Sequence, residues 1–299
     1  MLARVVSFLD PAPDRPWEHT PFLRDTLLMS RMAYWGPDRM QRVSEGVELL
    51  DDEEATSELL RACPTPPIFC DSPLADSQAY VVRYMEDAVT ERLVLACRGT
   101  SSLMDVMCDT DLRLVPLAEV PGAMVHAGFL EQFRSLAPLF EEHLGLVRED
   151  ERLLCVGHSL GSAVAAIAAL VYAQRFPGRV DYVGCGTPRV GDHAFKEAFD
   201  AEVGLRHRLV HGRDPVPKVP LAFRYAHVGD ALHFGRRDFY PSVPLVSDLD
   251  DHMQWNYVDD YDKPASHRGG LVVAVGGLAL DLVHKCLLFL VPKEAAERP

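Results

Sequence analysis

The residues Gly157-His158-Ser159-Leu160-Gly161 read GxSxG. A short apolar run, Leu153 to Val156, precedes them, and a long run of small residues, Ser159 to about Phe176, follows and closes at Pro177-Gly178. A serine at a sharp strand-to-helix turn stands clear of its own backbone. The glycines two before and two after it leave room for neighbouring chain. The helix N-terminus beneath favours a developing negative charge, and the amide of Leu160 points toward it. The chemistry implied is nucleophilic attack by the Ser159 hydroxyl on an acyl carbon. A serine hydroxyl is inert at neutral pH, so a base and an acid that orients the base must complete the site.

The surrounding elements have to position these groups. Ala79 to Tyr84 and Arg92 to Cys97 read as short strands split by a polar turn. Tyr182 to Gly186 and Arg206 to Val210 read as two more, and Tyr225 to Val228 with Ala231 to Phe234 as a hairpin around Gly229-Asp230. Thr26 to Tyr34 has helical spacing and stops at Gly36-Pro37; the stretch 40–61 carries the acidic run Asp51 to Glu54 as a solvated face. Residues 63–77 hold four prolines and read as loop. Strands alternating with helices predict an α/β protein with a mainly parallel central sheet and helices on both faces. In the α/β-hydrolase fold the chain order is Ser, then Asp or Glu, then His, so acid and base are sought downstream of Ser159.

Composition narrows the partners. The 299 residues are 48 % hydrophobic, enough for a sizeable core, and carry a formal charge of −14. The acidic balance excludes nucleic acid, whose backbone needs a basic stripe, and disfavours docking on an anionic membrane. Seven cysteines, an odd number with no CxxC pair, read as reduced buried thiols. The N-terminus has no apolar core of signal-peptide length before Asp10-Pro11, so no secretory signal and a cytoplasmic location are expected. Residues 271–291 have about the length of a membrane span, but Asp281, His284 and Lys285 sit near the middle. That stretch reads as a buried or amphipathic C-terminal helix, about 268–291, with peripheral contact to a lipid surface as the second reading.

Six segments in order resemble the class 3 lipase family, the fungal triacylglycerol-lipase-like α/β hydrolases. They are Arg98-Gly99-Thr100, Asp109 to Leu112, Val125 to Phe129, Val156 to Gly161, Thr187 to Asp192, and Asp214-Pro215-Val216-Pro217-Lys218-Val219-Pro220. The resemblance implies an α/β-hydrolase fold and assigns roles. Thr100 becomes the second oxyanion donor beside the Leu160 amide, each such donor being worth roughly 2.7–4 kcal/mol of barrier. Ser101 to Met107 takes the place of the family's lid, although it lacks the tryptophan expected near Val106. The acid is Asp214, in its DPVPxxP setting. Asp192 is a rival that belongs to a structural loop. The base is His252, from Asp251-His252 ahead of a Tyr-bearing helix, with His267 the alternative that the usual family spacing favours. His227 and His233 read as structural, and His126 and His158 as neighbours of the site.

The expectation is therefore a serine carboxylic-ester hydrolase acting on a lipid or small ester, with Ser159, Asp214 and His252 as its triad and no metal or organic cofactor. The carboxylates Asp248, Asp250, Asp251, Asp259, Asp260 and Asp262 crowd His252 and would raise its pKa; their oxygens could hold calcium, but the spacing fits no EF-hand loop. The alternatives in other classes are an acyl-binding scaffold without turnover and an acyltransferase. One site spread from Thr100 to His252 implies one domain over 1–299, with an irregular N-terminal arm at 1–20.

Overall fold

The computed structural model describes residues 20–44, 56, 59–73, 77–99, 112–145, 147–220, 223–235, 252–259 and 261. In chain order the elements are α1 (Pro21–Met32), α2 (Pro37–Ser44), β1 (Ile68–Ser72), β2 (Ser77–Met85), β3 (Glu91–Cys97), β4 (Leu114–Pro116) and β5 (Met124–His126). They continue with α3 (Ala127–Leu144), β6 (Arg152–His158), α4 (Leu160–Arg175), β7 (Val180–Cys185), α5 (His193–Glu202), β8 (Arg206–His211), β9 (Asp230–Phe234) and α6 (Gln254–Asp259).

Among the described residues, seven strands form one sheet in the order β1-β2-β3-β6-β7-β8-β9. The first two pairings are antiparallel and the rest, from β3 through β9, are parallel. The central parallel strands β3, β6 and β7 bury both faces, so their sequences run nearly continuously apolar. Alternation sorts them between two cores. Leu93, Leu95, Leu153 and Cys155 face α3, α4 and α5, whereas Val94, Ala96, Leu154 and Val156 face α1 and α6. The chain has the mainly parallel sheet with helices on both faces that its pattern predicts.

Two local expectations differ. Residues 68–72, read as loop, form edge strand β1, with its four neighbouring prolines outside the paired stretch. An edge strand tolerates proline at its ends because only one side of it bonds to a ladder. The hairpin at Gly229 does not form. Asp230–Phe234 pairs in parallel with β8, and residues 225–228 make one bridge, from Ala226 to Gly191. Gly229 turns at φ +58°, with Arg206 backbone 2.4 Å from where a Cβ would lie. The turn therefore feeds a strand into the sheet instead of folding one back on its neighbour.

Opposite the carboxyl ends of the strands, Arg152 clasps Asp181 through two bonds of 2.8 and 2.6 Å, and Arg92 bonds the same carboxylate. This ties β3, β6 and β7 together at the end remote from Ser159. The arm 1–19 and the stretch 262–299, including the expected C-terminal helix, lie outside the described residues. Among the described residues, no helix is long and apolar enough to cross a membrane.

Candidate active site

Ser159 stands between β6 and α4 with φ +56° and ψ −127°. It is the one non-glycine residue at positive φ among those described. Such a conformation costs on the order of 1–3 kcal/mol and persists only where the surroundings enforce it. Here the Ser159 N–H donates to Cys185 O at 2.9 Å, while its carbonyl accepts from Ser162 N at 3.0 Å and Ser162 Oγ at 2.5 Å. The glycines of the motif are required by space. A Cβ at Gly161 would meet Cys97 O at 2.2 Å and Arg98 C at 2.5 Å; one at Gly157 would meet Gly161 backbone at 2.5 Å. The alanines of α4 let the helix lie this close to β3. The N–H groups at its start, Leu160 among them, have no acceptor within the helix.

Asp214 follows β8 by three residues. Its N–H donates to His211 O at 3.0 Å, and its Oδ1 accepts from Val216 N at 2.9 Å, which aims the carboxylate back across the end of the sheet. His252 Nδ1 lies 2.8 Å from both Asp214 oxygens. The Tyr257 hydroxyl donates to Oδ2 at 2.6 Å. Burial, followed by the charge of Asp214, raises the Tyr257 pKa well above its ordinary value, so the phenol keeps its proton and remains a donor. Gly186, at φ +58° after β7, lies under this pair. A Cβ there would come 2.8 Å from Asp214 Oδ2 and 2.9 Å from His252 Cε1.

Ser159, Asp214 and His252 are each 1 % exposed. Ser159 Oγ and His252 Nε2 are buried and have no hydrogen-bond partner among the described residues. Buried polar atoms are normally satisfied, and exceptions call for a reason such as a catalytic role. With Nδ1 committed to the carboxylate, Nε2 is the ring atom left to take or deliver a proton. The arrangement can activate an oxygen nucleophile and stabilise an anion at the helix start.

The other expected residues fall elsewhere. Asp192 caps α5, its Oδ1 accepting from Phe195 N at 2.9 Å and Met124 N at 3.2 Å. His126 caps α3 through Gly128 N. His227 Nε2 donates to Pro217 O at 2.5 Å. Thr100, the lid at 101–107, His267 and Asp248, Asp250, Asp251, Asp260 and Asp262 lie outside the described residues, as does the Asp259 side chain. Among the described residues, no group of three His, Cys, Asp or Glu could hold a metal ion. The sequence reading missed Tyr34, Tyr257 and Gly186. Gly186 was read as the last residue of a strand, and the strand ends one residue earlier, at Cys185.

Comparison with known proteins places likeness over the same part of the chain. Residues 94–224 match the profile of the class 3 lipases. A secreted mono- and diacylglycerol lipase 1 of Fusarium solani is 30 % identical over 145 residues, covering 47 % of this chain and 43 % of the relative. The secreted mono- and diacylglycerol lipase A of Penicillium cyclopium is 31 % identical over 165 residues, covering 54 % and 52 %. Among solved structures, the lipase from Rhizopus microsporus var. chinensis superposes with a TM-score of 0.57 at 27 % identity, over 75 % of this chain and 80 % of that one. Residues 94–224 thus carry the class 3 lipase match, and the chain has the α/β-hydrolase fold of the solved lipases it resembles. It spans about half, or less, of the length of these curated relatives.

One expectation is corrected here. A cytoplasmic location does not stand, because both curated relatives are named as secreted lipases. The five described cysteines are free, and four are buried.

Proposed function

We propose that this chain is a carboxylic-ester hydrolase acting on acylglycerols or related acyl esters through a covalent acyl-enzyme. Ser159 Oγ attacks the acyl carbonyl as His252 Nε2 takes its proton. Asp214 holds the Nδ1–H and stabilises the imidazolium. The oxyanion is received by the Leu160 N–H and by Thr100. Collapse of the tetrahedral intermediate breaks the ester bond, and the imidazolium delivers its proton to the departing alcohol. Water, deprotonated by the same ring, then releases the fatty acid and restores Ser159. The reaction draws on no metal or organic cofactor. The observation that carries this reading is the pair of buried, unpartnered atoms, Ser159 Oγ and His252 Nε2, with the ring's other nitrogen on Asp214. The names of the relatives support acylglycerols as the substrate class. Serving one site, the whole chain 1–299 acts as one domain.

The test is hydrolysis of p-nitrophenyl esters of increasing chain length and of mono- and diacylglycerols. Ser159→Ala and His252→Ala should each lose on the order of 10⁴–10⁶ in kcat, and a fluorophosphonate should label Ser159. Parental activity in Ser159→Ala would refute the mechanism. A dead His267→Ala beside an active His252→Ala would move the base to His267.

A further inference from the structure

Behind the Asp214–His252 pair lies a partly buried polar chain that ester hydrolysis, as written for the triad, does not use. His158 Nε2 is 2.7 Å from the His252 carbonyl oxygen, and His158 Nδ1 is 2.7 Å from the Tyr34 hydroxyl. The backbone of Gly99 hydrogen-bonds the same hydroxyl. Chemistry gives the chain a single direction. A carbonyl oxygen can only accept, so Nε2 of His158 carries the hydrogen. Nδ1 of a neutral imidazole is then bare and must accept from Tyr34. With its one proton given to His158, the Tyr34 oxygen can only accept from Gly99, which makes the Gly99 partner its N–H. The His158 ring is 4 % exposed and stacks 4.6 Å from the His252 ring. Burial, followed by the proximity of His252, holds its pKa well below the ordinary histidine value, consistent with the neutral form.

The two ends of the chain matter. Gly99 immediately precedes Thr100, and its place is filled closely: a Cβ there would meet Tyr34 Oη at 2.3 Å and His158 O at 2.6 Å. At the other end, Asp214 holds His252 only by its ring, about which the residue could still pivot. The His158 contact holds its main chain.

We propose that Tyr34 and His158 are positioning residues for ester hydrolysis: a one-way chain, Gly99 N–H to Tyr34 O–H to His158 Nε2–H to His252 C=O, gives the base a second anchor and ties it to the oxyanion loop. This rests on the hydrolase reading. A neutral buried imidazole is also what the site needs here, because a second cation beside the His252 imidazolium would oppose its formation.

The test uses the full chain, p-nitrophenyl butyrate and four variants: Tyr34→Phe, His158→Gln, His158→Asn and the double variant Tyr34→Phe/His158→Gln. Glutamine places an amide N–H near the Nε2 position and can still reach the His252 carbonyl; asparagine stops short. His158→Gln should keep at least about ten times the kcat of His158→Asn. Tyr34→Phe should lower kcat about three- to tenfold with KM within about twofold, the range expected for one hydrogen bond. In the His158→Gln background it should cost less than about twofold, because no tautomer remains to be selected. Equal kcat in the Gln and Asn variants, or an equal Tyr34→Phe loss in both backgrounds, would overturn the proposal. Should a variant fail to fold, long-range ¹H–¹⁵N correlation on the parent protein near pH 7 decides. An Nε2–H signal for His158 supports the chain, and an Nδ1–H signal overturns it. If Ser159→Ala keeps activity, the hydrolase reading fails instead; if it is dead and the variant pattern is absent, only the chain fails.

Discussion

The Tyr257 hydroxyl and the Asp214 carboxylate meet at 2.6 Å in a fully buried contact, on a carboxylate that also holds His252. Hydrogen bonds to a charged group are worth roughly 1.5–3 kcal/mol net, more than neutral ones. Removing the hydroxyl leaves Asp214 with fewer donors while preserving ring contacts to Phe234 and His211. Tyr257→Phe should therefore lose about 1.5–3 kcal/mol of stability in urea unfolding. It should also lower kcat several-fold with little change in KM. Unchanged stability would show that water replaces the lost donor.

Gly161 faces backbone, not a movable side chain. A Cβ placed there would meet Cys97 O and Arg98 C. Gly161→Ala must separate α4 from β3, and overpacking of this kind costs about 1–3 kcal/mol or more. The helix start and the Leu160 amide would shift with it. A lower guanidinium midpoint together with a fall in fluorophosphonate labelling rate is expected, and a wild-type midpoint would contradict the close approach.

Two histidines, the buried His158 and the half-buried His227, predict acid sensitivity. His158 and His227 both have pKa values held well below the ordinary value, first by burial and then by the proximity of His252 for the former and of the Arg208 and Arg189 cations for the latter. The unfolded chain then binds more protons below about pH 6.5, so the stabilisation is present above that pH and lost as pH falls. Each histidine contributes a slope of up to about 1.4 kcal/mol per pH unit in that window. His227→Gln, which can keep a donor toward Pro217, should flatten the decline between about pH 6.5 and 5 by up to that amount. Parallel stability curves for parent and variant would refute the assignment.

The buried thiols should resist alkylation. Burial raises the pKa of Cys70 to about 11 and of Cys63 and Cys185 to about 12, and also raises that of Cys97 and Cys155. Since the thiolate is the reactive form, iodoacetamide near pH 8 should leave peptides with Cys97, Cys155 and Cys185 unmodified in native protein. Concentrated guanidinium should expose all three. Modification of Cys155 without unfolding would show that the core opens locally.

What the sequence discloses about this molecule is mostly local. The turn at Ser159 was legible because a glycine on each side of a serine, between an apolar run and an alanine-rich one, encodes its own geometry. The strands β2, β3, β6 and β7 were legible because burial on both faces leaves a nearly continuous apolar run, whereas β8 opens on Arg206-His207-Arg208 and offers only a short one. Asp230–Phe234 was read as a strand but given the wrong partner, since nothing local says that it pairs with β8. Edge strand β1 was hidden by its prolines. Tyr34 was read only as part of a helical pattern, and Tyr257 only as the tyrosine of the helix after His252. What marks them is the aim of one hydroxyl, and that depends on chain more than forty residues away in each case.

The sheet order has a consequence for how this site could be altered. Ser159 leaves β6 and Asp214 follows β8, with β7 and Gly186 between them. Two strand spacings, about 9–10 Å, therefore set the span that His252 has to bridge. Loops around the site can lengthen without touching that span. A one-residue slip of β8 cannot occur without cost, because it would carry Asp214 about 3.3 Å along the strand and turn it to the opposite face. The reaction centre thus acts as a gauge of strand alignment, and fluorophosphonate reactivity would serve as a sensitive reporter of correct folding in redesigned variants.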